Sequence, residues 1–263
     1  MFSVKDRERC KQLYDKRYSG VKFHDDFYRE FIHKYLPPGG RLLDAGCGRY
    51  LKFSKELART TEVVGIDLES QLETRNEGSP FGVRGDLNHL PFEAGYFDLI
   101  ISRFVVEHLE HPAQVFGEFQ RVLKPGGKVV LLTPSKYDYV SLIAAATPYS
   151  LHRSLVSRIF RVSEDDVYPT FYRANTPTRI ARELASVGLR KKELRMINHY
   201  PAYLMFSPVL FRIGMAYERL TSLEMLRGLR ATILCVFEKD QVQDPAHCRE
   251  GIAGERKMSL TRT

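Results

Sequence analysis

The stretch Arg41-Leu-Leu-Asp-Ala-Gly-Cys-Gly-Arg49, followed further on by Val63-Val-Gly-Ile-Asp67, decides the fold. An apolar run of strand length ends in Asp44. Gly46 and Gly48 then let the backbone turn tightly and come close to a ligand, and Leu51 to Ala58 reads as the next helix. Val63 to Ile66 is a second strand of the buried type, with Asp67 at its carboxyl end. In a doubly wound parallel sheet, ligands bind beyond the carboxyl ends of the strands, and an acid placed there accepts hydrogen bonds from both ribose hydroxyls. The two segments together predict an α/β fold with a nucleoside pocket.

Two details narrow the cofactor. A dinucleotide fingerprint G-x-G-x-x-G needs a third glycine where the helix packs on the strand, and Leu51 stands there. Asp44, immediately before the turn, would repel a pyrophosphate but attract the ammonium and sulfonium charges of S-adenosylmethionine.

At this point the sequence resembles the class I S-adenosylmethionine-dependent methyltransferases, in particular the small-molecule group that includes the ubiquinone and menaquinone C-methylases and O-methylases. Gly85-Asp-Leu87 with Leu90-Pro-Phe92 is similar to that family's third motif, and Phe97-Asp-Leu-Ile-Ile-Ser102 to its fourth strand. Arg121-Val-Leu-Lys-Pro-Gly-Gly127 followed by Lys128 to Thr133 is similar to its helix, turn and fifth strand. The resemblance runs from Tyr14 to Thr133, with weaker echoes to Lys239. It implies a Rossmann-like doubly wound sheet of seven strands, six parallel and the last antiparallel, with helices on both faces. It also implies cofactor contacts at Asp44, Gly46, Gly48, Asp67, Leu68 and Ser102. Asp86 would meet the adenine amino group and the Leu87 backbone the ring. Tyr18, on a helix that caps the cofactor, completes the set. One departure is Tyr50, which occupies the position of a further glycine common in the family.

Composition agrees with one domain. A chain of 263 residues, 43% hydrophobic, can bury one substantial core. The expected organisation is a single methyltransferase domain over residues 1–240, with cap helices in 1–38, substrate-side insertions at 134–175 and 199–229, and a disordered tail at 241–263. Met1 to Lys11 is charged and reads as no secretory leader. Cys10, Cys47, Cys235 and Cys248 lack metal-ligand or disulfide spacing, which favours a reducing, cytoplasmic setting. Charge is uneven. Residues 1–134 carry 20 Lys and Arg against 19 Asp and Glu, whereas residues 135–240 carry 16 against 10. The positive field therefore lies on the half expected to choose the acceptor, which suggests an anionic substrate or an anionic membrane, a solvated arginine-rich surface being the alternative.

Tyr14 and Tyr18, spaced i and i+4, share one helix face, and Leu36-Pro-Pro-Gly-Gly40 is a turn into the first strand. Beyond Thr133 the alternation of strand and helix breaks. Pro134 to Asp166 is far longer than a tight connection, and leaves the fifth strand beside the reacting methyl group, so it reads as a substrate-binding insertion. Thr176 and Pro177 predict a helix start, with the helix ending near Gly188. Leu189 to Ile197 and Arg230 to Glu238 read as the sixth and seventh strands. Between them Pro201 to Phe206 and Pro208 to Met215 form an apolar block broken by prolines and Arg212. Too short and too interrupted to span a bilayer, the region 200–217 reads as a peripheral membrane contact, a cover for an apolar substrate, a dimer surface, or ordinary core.

Methyl transfer needs alignment in a water-poor pocket, and a base when the nucleophile starts protonated. His108, with Glu107 and His111 beside it, follows the fourth strand and is the candidate base; the alternative is a structural histidine satisfied by a carbonyl. Glu164-Asp-Asp166 are consecutive acids that point alternately away on an extended chain, so no metal site is expected. Tyr168, Phe171, Tyr172 and Arg173 read as walls of the acceptor pocket. The expected activity is methyl transfer to oxygen or carbon of a small-molecule or lipid-linked acceptor. Nucleic-acid methylation is disfavoured by the absence of an RNA-binding module and by Ser102-Arg-Phe-Val105 standing where a base-amine methylase has an Asn/Asp-Pro-Pro-aromatic tetrapeptide. A non-catalytic binding module is the third reading.

Overall fold

The computed structural model describes residues 4–48, 56–68, 81–139, 141–142 and 168–241. Seven strands form one sheet: β1 Arg41–Ala45, β2 Glu62–Asp67, β3 Phe81–Arg84, β4 Phe97–Arg103, β5 Leu123–Pro134, β6 Leu189–Ile197 and β7 Thr232–Lys239. Their order is β3-β2-β1-β4-β5-β7-β6. Pairs among β1 to β5 are parallel, while β7 runs antiparallel to both β5 and β6. This is the Rossmann-like topology expected from the sequence.

Both faces of the sheet are covered, which is why its central strands read as continuous apolar runs rather than alternating ones. On one face Leu43, Ile66, Ile100, Val129 and Leu131 pack with Phe116 and Phe119 of α3 (Pro112–Val122) and with Ile180 and Leu184 of α4 (Pro177–Ser186). On the other, Leu42, Val63, Leu99, Ile101, Val130 and Leu132 meet Tyr28, Phe31 and Ile32 of α2 (His24–Tyr35). The start of α4 is capped as its sequence predicts: Thr176 Oγ1 accepts from Arg179 N at 3.1 Å, and Pro177 needs no partner for the donor it lacks.

Two further helices sit above the carboxyl ends of the strands. α1 (Val4–Tyr18) packs on α5 (Pro208–Thr221) through the buried cluster Cys10, Tyr18 and Phe211, ringed by Tyr14, Tyr200, Met205 and Met215. Gly214 lets the segment that precedes α5 lie close on the helix, since a Cβ there would lie 2.5 Å from Pro201 Cβ. The apolar block read as 200–217 therefore divides: Phe211 is core, while Val209 and Ile213 face outward.

Candidate functional site

The turn after β1 is built from two glycines with different reasons. Gly46 has φ of +76°, and a Cβ on it would lie 2.2 Å from Val105 Cγ2, so the chain leaving β4 passes too close for any side chain. Gly48, at φ +66°, faces nothing within 4 Å among the described residues, so on their side it is open to a ligand. Gly46 N and Cys47 N both donate to Ile66 O, at 2.8 and 3.2 Å, which keeps the turn stitched to the end of β2. Gly48 N donates to Asp67 Oδ2 at 2.9 Å, fixing that carboxylate against the turn.

Asp44 is buried at the end of β1 and Asp67 half-exposed at the end of β2. Burial pushes the Cys47 thiol up, and the charges of Asp44 and Asp67 push it further. One thiol thus senses both acids, which means their fields converge on the same turn. A cation placed there would be stabilised by the same convergence. Leu68, next in sequence, is exposed.

Gly85 N donates to Asp67 O at 3.0 Å and brings the following loop to the same rim. Asp86 Oδ1 accepts from both Asn88 N and Asn88 Nδ2, at 2.9 and 2.8 Å, and Leu87 packs against the core below. The loop is held from beneath by Arg121, which donates to Phe92 O and Leu90 O and pairs with Glu118; Glu118 in turn accepts from Leu90 N at 2.7 Å. Ser102 and Tyr18 are placed differently. Ser102 is buried and donates to Ala45 O at 2.8 Å, joining β4 to β1. The Tyr18 hydroxyl donates to Glu218 Oε2 at 3.3 Å, joining α1 to α5, and burial and that carboxylate raise its pKa. The Tyr14 and Tyr18 rings lie 5.5 Å apart, on one face.

Beyond the ends of β4 and β5 lies a second group of polar side chains, called the chamber below for the role proposed for it. His108 sits at the end of the short 3₁₀ turn Val106–His108, its Nδ1 2.7 Å from Pro169 O. A carbonyl can only accept, so Nδ1 carries the proton and Nε2 is left as the base, 4.0 Å from Glu107 Oε1. Burial lowers the imidazole pKa. Burial also pushes the Glu107 carboxyl up to about 7, against the hydroxyl that Thr133 donates to its Oε2 at 3.0 Å. Asn175 Nδ2 in turn donates to Thr133 Oγ1 at 2.6 Å. The backbone closes over Glu107, with Phe171 N and Tyr172 N both donating to its carbonyl at 2.7 and 3.2 Å. Phe104 and Tyr172 are the two non-glycine residues with positive φ among those described, at 54° and 49°, and both border this region. Tyr203 is raised by burial and by the fields of Tyr172, Asp138 and Glu107, so these groups face one another. The Tyr139 hydroxyl and Asn175 Oδ1 are buried here without a hydrogen-bond partner among the described residues.

Comparison with known proteins agrees with this geometry. Residues 43–131 match the methyltransferase domain family, from the middle of β1 to β5. This part of the chain is therefore similar in sequence to a methyltransferase domain. The chain is 34% identical over 116 residues to a demethylmenaquinone methyltransferase of Lactiplantibacillus plantarum, covering 40% of this chain and 49% of the relative. It is 32% identical over 144 residues to the ubiquinone/menaquinone biosynthesis C-methyltransferase UbiE of Erwinia tasmaniensis, covering 49% of this chain and 55% of the relative. The matched part thus spans about half the length of these two relatives. Among solved structures, the [4+2]-cyclase SpnF superposes with a TM-score of 0.54 at 18% identity, covering 82% of each chain. That last likeness concerns the fold alone.

The stretch that matches the methyltransferase domain family spans the turn after β1 and the end of β2, and the residues missed in the sequence lie mostly outside it. Tyr28, buried on α2, senses Asp44, and burial with that carboxylate raises its phenol. Arg103 at the end of β4 forks onto Asp25 of α2 with two 3.0 Å bonds. Asn175, just before the helix start at Thr176, ties that start to Thr133 and to Pro134 O. No local pattern marks these three, although the spacing Tyr28, Phe31, Ile32 signals the buried face of α2. Arg49, Tyr50, Leu51 to Lys55, the arginines of 143–167, Glu164 to Asp166 and the tail from 242 lie outside the described residues. Among those described, no cluster of three or more His, Cys, Asp or Glu is arranged to hold a metal, and no helix is long and apolar enough to cross a membrane.

Proposed function

We propose that this chain is an S-adenosylmethionine-dependent methyltransferase that transfers a methyl group to oxygen or carbon of a small-molecule or lipid-linked acceptor. The observation that carries the reading is the pair Asp44 and Asp67, held on either side of a glycine turn whose Gly48 is open to a ligand. When bound, S-adenosylmethionine supplies an already activated sulfonium methyl. Asp67, oriented by Gly48 N–H, would accept from the ribose hydroxyls, and Asp44 would supply negative charge for the cationic end. Asp86 and Leu87 would hold the adenine from a loop that Glu118 and Arg121 keep in place. Ser102 and Tyr18 would complete the cofactor's surroundings, each with its hydroxyl anchored, to Ala45 O and to Glu218.

The second chamber receives the acceptor. Its tyrosines supply flat apolar walls, and the partnerless Tyr139 hydroxyl and Asn175 Oδ1 suit a polar ring substituent. The names of the quinone-methylating relatives support an aromatic acceptor of this kind. His108 Nε2 takes the acceptor proton. Its lowered pKa and the raised pKa of Glu107 bring the two groups toward neutrality, so one proton can be exchanged between them or with an acceptor.

Calorimetry tests the cofactor half directly. S-adenosylmethionine and S-adenosylhomocysteine should bind with dissociation constants between roughly 1 µM and 1 mM. Neither heat nor a thermal shift with either ligand would overturn the enzyme reading.

A further inference from the structure

We propose that the outer face of α5 docks on an anionic lipid bilayer. An ordinary surface helix puts its apolar residues inward and its polar ones outward. α5 buries Phe211, Gly214 and Thr221, yet Val209, Ile213 and Leu220 on its opposite face are 63%, 59% and 56% exposed. With Ala216 they follow helical i, i+4, i+7, i+11 spacing and form one continuous stripe. The stripe continues past the helix through Leu223 and Met225, the latter 87% exposed.

Charge identifies the occupant. Arg212 and Arg219 flank the stripe, and Arg9 and Lys16 of α1 face Arg212 across a groove of about 610 Å³. None of these four cations forms an ion pair among the described residues, although Asp6 also lines the groove. α1 as a whole carries six Lys and Arg against three Asp and Glu. Unpaired cations around a shallow apolar ridge match acidic headgroups around acyl chains. They do not match a second copy of the chain. A two-fold antiparallel contact centred on this stripe would bring Arg212 of one copy against Arg219 of the other.

Docking here would serve the lipid-linked side of the function proposed above, on which its purpose rests. The inner face of α5 carries Tyr217, whose ring lies 5.5 Å from that of Tyr139 in the acceptor chamber. A bilayer on the outer face would therefore lie one helix away from the chamber.

Vesicle flotation with the full chain tests the docking without reference to turnover. The protein should float with vesicles of mixed phosphatidylcholine and phosphatidylglycerol, and far less with phosphatidylcholine alone. Ile213→Asp with Leu220→Asp should abolish flotation. Arg212→Glu with Arg219→Glu should weaken it by about tenfold or more, and added salt should do the same. All four side chains are solvent-facing, so both variants should keep their melting temperature and their calorimetric response to S-adenosylmethionine. A wild type that stays unbound with both vesicle types, or variants that float as well as the wild type, would overturn the proposal. So would a wild-type dimer, seen by sedimentation, that Ile213→Asp turns into a monomer, because the stripe would then belong to a second copy. Loss of cofactor binding by the wild type would instead count against the methyltransferase reading and leave the docking result standing.

Discussion

The proposed cofactor rim and the proposed acceptor chamber are neighbours in space and opposites in construction. The rim is made by strands β1 and β2 and the turns that follow them, held by backbone bonds such as Gly46 N to Ile66 O and Gly48 N to Asp67 Oδ2. The chamber is assembled from side chains far apart in the chain: Glu107, Thr133, Asn175 and Tyr203 come from four separate segments. A rim built from backbone suits a ligand that never changes. A chamber built from side chains can be altered piece by piece to suit another acceptor.

Substitutions can break or sharpen that contrast. The largest effect is expected at His108. His108→Ala should lower kcat by roughly a hundredfold to ten-thousandfold if Nε2 is the base, while leaving cofactor affinity unchanged. Unchanged turnover would return the residue to a structural role beside Pro169. On the rim, Asp67→Ala should weaken S-adenosylmethionine binding on the order of a hundredfold by calorimetry, because both the ribose acceptor and the anchor of Gly48 N–H disappear. Tyr172→Phe, in the chamber, should leave that affinity alone; equal losses in the two variants would erase the distinction between the halves.

Stability separates the two glycines. Gly46→Ala meets Val105 and an unfavourable φ together and should cost about 3 kcal/mol or more in denaturant unfolding. Gly48→Ala meets only the φ and should cost about 1 kcal/mol, yet it should impair cofactor binding because its Cβ would fill the open side of the turn. Similar unfolding costs for both would show that Val105 yields.

The chamber should also leave a mark on stability against pH. The Glu107 carboxyl goes from an ordinary 4.5 to about 7 on folding. The folded state then holds the extra proton, so the stabilisation is complete below the unfolded pKa and is lost as pH rises through about 7. Its upper bound is roughly 3 kcal/mol. Glu107→Gln keeps the Thr133 bond and cannot ionise, so thermal melts at about pH 5 and about pH 8 should differ less than in the wild type. An unchanged difference would mean that other groups set the pH profile.

How much was legible in the sequence follows the same division. Asp44, Gly46, Gly48 and Asp67 could be read together because strand, turn and strand succeed one another closely, and each residue type answers a local demand: an acid at a strand end, a glycine where φ is positive. The seven strands, with the last one antiparallel, were legible through the family resemblance. The Thr176 cap was legible because its partner lies three residues away. The bond from the Ser102 hydroxyl to Ala45 O was not legible, because strand alternation alone does not name a side chain's partner on the neighbouring strand. The apolar block after Pro201 was visible as apolar, but not as two faces with opposite fates.

The sequence by itself determined the parallel sheet, the glycine turn and the paired acids, since local spacing and backbone conformation suffice to specify them. Only the tertiary structure decided the rest: that Glu107 is desolvated beside His108, that Asn175 and Thr133 are linked to it, and that α5 turns Val209, Ile213 and Leu220 outward. Desolvation and exposure depend on which distant segments pack together, and that property belongs to the assembled fold rather than to any stretch of chain.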